Sequence, residues 1–192
     1  MAQRIVLRPY DDSMFYDYLA VQREISPFRQ QMFDPSFREL LHETMQTSTS
    51  PTYLAYRTTD DVFIGQCGTN STAGKSWELG IGVLAAHQGQ GYGREMLVRL
   101  VRILRATYGQ TRFHTCVDAG NAASIALMRS LGATPGGVER SPLLPQEADA
   151  ELFEMMHPEL IKPSYDKLAR EFGVSPRKLI SHALVFNIDE LA

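Results

Sequence analysis

Between positions 88 and 93 the chain reads Gln88-Gly89-Gln90-Gly91-Tyr92-Gly93, and Arg94 follows. Closely spaced glycines let consecutive backbone N–H groups turn toward one point, and a helix start adds a partial positive charge, so such a segment can hold a phosphate or pyrophosphate without a metal. The dinucleotide fingerprint needs Gly-x-Gly-x-x-Gly, but these glycines recur at every second residue, and no suitable acidic residue closes a following strand about 20 residues on. A nucleoside-triphosphate loop needs Lys-Ser or Lys-Thr after its last glycine, and Gly93 is followed by Arg94-Glu95. A tight turn that uses glycine only for conformational freedom is the plain alternative. Upstream, Glu78 opens the run Glu78-Leu79-Gly80-Ile81-Gly82-Val83-Leu84. A carboxylate there can remove a proton from an attacking group, or it can be a solvated strand end. The histidines His42, His87, His114, His157 and His182 are scattered, with no His-Glu-x-x-His or Cys/His cluster, so no metal is implied. Cys116 lies in an apolar run without an identifiable base and reads as packing.

Several elements must position these groups. Ile5 to Arg8 reads as a strand stopped by Pro9. Asp11 or Asp12 caps a helix through about Glu24 that carries Met14, Phe15, Tyr18 and Leu19, and Asp34-Pro35 opens a second helix with Phe37, Leu40, Leu41 and Met45. Residues 52–57 and 62–69 read as a hairpin turned at Thr59-Asp60-Asp61. The strand 77–84 carries two glycines, where a bulge or a close backbone approach is expected. The spacing of Met96, Leu97, Leu100, Val101 and Leu104 predicts a helix from about Gly91 to Tyr108. Residues 113–117 form a strand, Asn121 to about Leu131 a helix ended by Gly132, and two weaker strands are expected around Val138 and over 152–155. This order predicts an α/β fold with a mixed sheet covered on both faces.

The chain has 192 residues, enough for one sizeable core, and its 44% hydrophobic content excludes a fibrous or disordered chain. Lys and Arg number 19 against 22 Asp and Glu, so the net charge of −3 supplies no global field to draw nucleic acid or anionic lipid. The two cysteines, Cys67 and Cys116, have no framework spacing, which points to a reducing, cytoplasmic setting. The first ten residues lack a signal-like apolar stretch, and no run of about 18 apolar residues exists to span a membrane.

Gln88-x-x-Gly91-x-Gly93, preceded by Glu78-Leu79-Gly80-Ile81-Gly82-Val83, resembles the acyl-CoA-binding motif of the GNAT superfamily of N-acetyltransferases. Asn121-x-x-Ser124-Ile125-x-Leu127-x-x-x-Leu131-Gly132 is similar to that family's second signature helix. The resemblance covers about residues 3–157, and the opening Ile5-Val6-Leu7-Arg8-Pro9 is most similar to the branch that acetylates ribosomal-protein N-termini, which also holds small-molecule enzymes. It implies the GNAT fold: a mostly antiparallel sheet of about seven strands, splayed at its centre, with helices on both faces. It also implies acetyl-CoA as co-substrate, with the pyrophosphate on the amides of Gln88, Gly89, Gln90, Gly91, Tyr92, Gly93 and Arg94. Pantetheine would then lie along Ile81, Gly82, Val83 and Leu84, with Asn121 on its other side and an amide near Val83 facing the thioester carbonyl. Glu78 becomes the candidate base for a primary amine, whether a protein N-terminus or a small molecule. Many members carry a tyrosine that protonates the thiolate where this chain has Met128. A methionine cannot do so, so Ser124, a water or the solvated thiolate serves; Ser124 can equally be a capping hydroxyl. His87 adjoins the loop and reads as a surface histidine. Phe15, Tyr16, Tyr18, Phe28 and Phe33 fall in the region that covers the acceptor side in the family, and a core role is expected for most of them.

Residues 158–192 are expected to stand apart from the acetyltransferase domain, 1–157, as a helical hairpin. Tyr165 to Leu184 resembles a helix-turn-helix, with Ser175-Pro176 opening the second helix. About 35 residues rarely make an independent core, so the expectation is docking on the body or on a second subunit of a homodimer, with Leu168, Phe172, Leu179 and Leu184 buried and no nucleic-acid or membrane partner. The competing function is a catalytically weak acyl-CoA-binding regulator with a DNA-binding tail, suggested by Met128.

Overall fold

A computed structural model describes residues 3–144 and 146–188, which fall into two compact units, Met1–Thr111 and Arg112–Ala192. The first unit holds β1 (Ile5–Pro9), α1 (Phe15–Ile25), α2 (Pro35–Thr47), β2 (Thr52–Arg57), β3 (Phe63–Ser71), β4 (Trp77–Val83) and α3 (Tyr92–Tyr108). Its strands pair in sequence order, every pair antiparallel. Asp34 caps α2 through the Ser36 and Phe37 N–H groups, with Pro35 pre-set for the first turn. Pro27 follows the end of α1, where the Ser26 hydroxyl accepts from Phe28 N–H. The predicted stripe of α3 is fully buried: Met96, Leu97, Leu100, Val101 and Leu104 are each at most 1% exposed.

The glycine-bearing strand β4 is itself regular, and the irregularity lies in its partner. Thr69 pairs with Leu79 and Ser71 with Glu78, so β3 carries Asn70 as an extra residue. The expected close approach is present at both glycines of β4. A side chain at Gly82 would collide with Val21 and Ile25 of α1, and one at Gly80 would collide with the Asn70 carboxamide. Glu78, Gly80 and Gly82 therefore share the face that α1 covers.

The second unit holds β5 (Phe113–Val117), α4 (Ala122–Ser130), β6 (Thr134–Arg140), α5 (Glu147–Met156), α6 (Tyr165–Phe172) and β7 (His182–Asn187). β7 lies between β5 and β6, antiparallel to both. This corrects two expectations. Residues 152–155 are not a strand but the end of α5, which starts in a capping box between Gln146 and Asp149. The tail is not a helical hairpin: α6 ends at Gly173, the predicted second helix is only a 3-10 turn over Pro176–Ile180, and the chain then runs out as β7. Alternation explains the strand, since Leu184 and Phe186 are fully buried while Ala183 and Val185 are not. The anticipated burial of Leu168, Phe172, Leu179 and Leu184 does occur, but inside this unit, with the Phe172 and Phe186 rings edge to face at 5.0 Å. Residues 158–188 thus divide between helix and sheet, and β7 ties them to residues 113–140.

Candidate active site

The loop between β4 and α3 is built to present backbone donors. Gly89 and Gly91 have φ values of 71° and 81°, a left-handed conformation that costs other residues about 1–2 kcal/mol. Gly91 is the N-cap of α3, so the loop leads directly into the helix's first turn, whose N–H groups have no carbonyl within the helix. The loop is braced from behind. Gln88 donates its carboxamide to the Val83 carbonyl at 2.9 Å, and Gln90 donates to the Ala86 carbonyl at 3.1 Å. Arg4 holds the Gln90 carbonyl at 2.9 Å and pairs with Glu95 at 3.1 Å, while its guanidinium lies over the Tyr92 ring. Glu95 also takes the Arg4 and Ile5 N–H groups and Arg99. Burial pushes its carboxyl upward, but these Arg4 and Arg99 bonds outweigh it and hold the group below the usual carboxylate range. Arg4 gave no signal in the sequence, because its partners are about 90 residues away. His87 is half-buried and edge-on to Tyr92.

Leu84 donates to the Ile64 carbonyl, and in an antiparallel pair this orientation repeats every second residue. Gly82 therefore also points its polar groups at β3, whereas Ile81 and Val83 turn theirs to the opposite edge of β4. That edge is where the resemblance puts pantetheine and the thioester carbonyl.

Glu78 is half-buried, and Asn70 donates its carboxamide to one Glu78 oxygen at 3.1 Å. The bulge swings Asn70 over β4, and only a glycine at position 80 leaves room for it. Beside this pair, along the face covered by α1, runs a cleft of about 440 Å³ lined by Tyr18, Gln22, Ser48, Thr52, Gln66 and Asn70 among others. The aromatic region departs from the expectation. Phe15 is core, but Tyr16, Phe28 and Phe33 are 77%, 48% and 65% exposed, and Tyr18 lines the cleft.

In the second unit Asn121 is the N-cap of α4, and its side-chain oxygen accepts the Ser124 N–H at 3.0 Å. Met128 is 1% exposed, a core residue. Neither cysteine is in a disulfide; Cys67 is fully buried, and burial pushes its thiol up. Among the described residues no helix is long and apolar enough to cross a membrane.

Residues 4–134 match the family model described as an acetyltransferase (GNAT) domain. No curated protein matches the sequence. Among solved structures the chain is similar to mutant forms of the spermidine/spermine N-acetyltransferase SpeG from Vibrio cholerae, at TM-score 0.62 and 13% identity over 96% of this chain and 93% of that one. It is also similar to a provisionally assigned ribosomal-protein-serine acetyltransferase from Vibrio cholerae, at TM-score 0.62 and 16% identity over 100% and 96% of the chains. A provisionally assigned GNAT-family acetyltransferase from Bordetella pertussis aligns at TM-score 0.62 and 14% identity over 97% and 96%.

Proposed function

Because the chain belongs to the GNAT family of acetyltransferases, we propose that it moves an acetyl group from acetyl-CoA to a primary amine by direct transfer in a ternary complex. The observation that carries this reading is the Asn70–Glu78 pair, a carboxylate fixed on the cleft face of β4. An alkylammonium has a pKa near 10 and no lone pair to attack with, so a positioned carboxylate has to take its proton directly or through water. The pyrophosphate is assigned to the amides of residues 88–94 and pantetheine to the outer edge of Ile81 to Leu84. The Val83 N–H, turned to that edge, would donate to the oxyanion of the tetrahedral intermediate. Asn121 spends its side-chain oxygen on the helix cap, so its pantetheine contact is assigned to the amide nitrogen. Ser124 or a water returns the proton to the departing thiolate.

Glu78→Gln should lower turnover by about 10² while acetyl-CoA affinity stays nearly intact. Gly91→Asp, which sets a carboxylate against the pyrophosphate, should weaken acetyl-CoA binding by more than about tenfold. Free CoA thiol release and calorimetry read the two effects separately. A wild-type pH–rate profile in Glu78→Gln would remove the base assignment. The regulator reading rests on buried Met128, which cannot protonate a thiolate. It predicts tight acetyl-CoA binding and no thiol release with any amine.

A further inference from the structure

We infer that Gln66 selects the amine acceptor, and that this acceptor carries an uncharged hydrogen-bond donor, an amide N–H or a hydroxyl, beyond its reacting amine. The inference rests on Glu78 acting as the base and names the substrate class for that site. Gln66 pairs with Gly82, so it stands on the same face as Glu78, and it lines the 440 Å³ cleft. Its side-chain oxygen is shut away from solvent yet has no hydrogen-bond partner among the described residues. A buried acceptor oxygen that has lost its hydration with nothing in return is rare in a folded protein, and a ligand N–H or O–H would satisfy it.

The distance from the base fixes the shape of that ligand. Gln66 and Asn70 lie four residues apart on β3, roughly 13 Å along the strand, and Asn70 holds Glu78. An amine that attacks a thioester held at the Val83 N–H and passes its proton to Glu78 through water lies between the two, on the Glu78 side of Gln66, so a donor group a few bonds further along the acceptor meets the Gln66 oxygen. The lining of the cleft fixes the charge. Its described residues include hydroxyls, carboxamides and apolar groups but no charged side chain, so a second cation would enter without a counterion. An adjoining recess of about 230 Å³ does contain Asp11 and Asp12. Both are already occupied: Asp11 accepts the Ser13 N–H and hydroxyl, and Asp12 accepts from Gln46 at 2.9 Å and lies 3.5 Å from His42.

The test is CoA thiol release with three amines: a C-terminally amidated Ser-Ala-Ala peptide, 5-amino-1-pentanol and spermidine. The peptide supplies an amide donor and the amino alcohol a hydroxyl, so their ranking identifies the source of the donor. The favoured one should exceed spermidine in kcat/KM by about tenfold or more. Gln66→Leu should raise KM for that acceptor by about tenfold with kcat and the acetyl-CoA KM little changed. Gln66→Glu should shift preference toward spermidine. Gln66→Met, which keeps the side-chain length, serves if the leucine variant does not fold. Preference of the wild type for spermidine, or an unmoved acceptor KM in both the leucine and methionine variants, would overturn the inference and leave the transferase reading standing. Absence of turnover with all three amines, while calorimetry still finds acetyl-CoA bound, would overturn both.

Discussion

Two buried polar regions in this chain are built on opposite plans. At the cleft of the first unit, the Gln66 oxygen and, in the adjoining recess, the Tyr10 hydroxyl are shut from solvent with no partner. Among the described residues, all buried unpartnered side-chain N and O atoms fall between Tyr10 and Thr69. In the second unit Glu154 is just as deeply buried, yet its carboxylate accepts the Ser181 hydroxyl at 2.5 Å and lies 3.8 Å from Arg177 and His182 and 3.9 Å from Lys178. Ser181 also contacts the His182 ring at 2.6 Å. The residue types are those of a hydrolytic triad, but the order is not: the serine sits between the acid and the histidine, and at 1% exposure no substrate reaches it. A closed, fully paired network fastens elements together, here α5 to the start of β7. An open, unpaired one waits for a ligand.

The largest expected effect breaks the closed region. Glu154→Ala strips the carboxylate from a buried ring of partners and should cost about 3 kcal/mol of stability in urea unfolding. Gln66→Leu, in the open region, should cost close to nothing. Equal losses at the two sites would erase the distinction.

The closed region was invisible in the sequence because its members are 27 residues apart and no motif joins them. The same was true of the Asn70–Glu78 pair. Asn70 reads as an ordinary polar residue near a strand end until the bulge in β3 aims it, and bulges do not announce themselves in a single strand. Gly80 and Gly82 did signal a close approach, although not which partner would make it. Periodicity served well where one face is buried, as in α3, and the cap signal Asp34-Pro35 placed α2 to the residue. It failed where a short apolar run fits either period. Leu152 to Met155 reads as a strand and is helix, while Ala183 to Phe186 is a short apolar run, begun inside the helix-turn-helix resemblance, that forms β7. The α/β class and the seven strands survive that exchange; the seventh strand is β7.

A smaller effect sharpens the comparison through pH. His182 has only 7% of its side chain exposed; burial and then Lys178 lower its pKa below the usual 6.5, against the opposing pull of Glu147 and Glu154. An unfolded chain then takes up its proton before the folded one does. Stability from this group is complete above about pH 6.5 and is lost as the pH falls from there through the folded value, at no more than about 1.4 kcal/mol per pH unit. Urea midpoints between about pH 5 and pH 7 should therefore rise with pH in the wild type, with a shallower slope in His182→Gln. A steeper slope in His182→Gln than in the wild type would mean that the histidine is charged in the folded protein and paired with Glu154, and parallel slopes that folding does not change its proton affinity.

The smallest effect is expected at Tyr10. Burial, followed by Asp12, Tyr18 and Asp11, pushes its phenol up to about 12, so it stays neutral throughout the working range and acts only as a donor or acceptor. Its ring is held edge to face against Tyr18 at 5.9 Å, a contact that Tyr10→Phe preserves. Removing an unpartnered buried hydroxyl while keeping the ring should leave thermal stability unchanged or raise it by up to about 1 kcal/mol. The same change in a satisfied network would lower it. A loss above about 1 kcal/mol would mean that the hydroxyl has a partner in solution, an ordered water included, and that the recess is closed on the same plan as the Glu154 network. The unpartnered Gln66 oxygen and Thr69 hydroxyl of the cleft would then be what marks the acceptor site, and the acceptor need not extend into the recess.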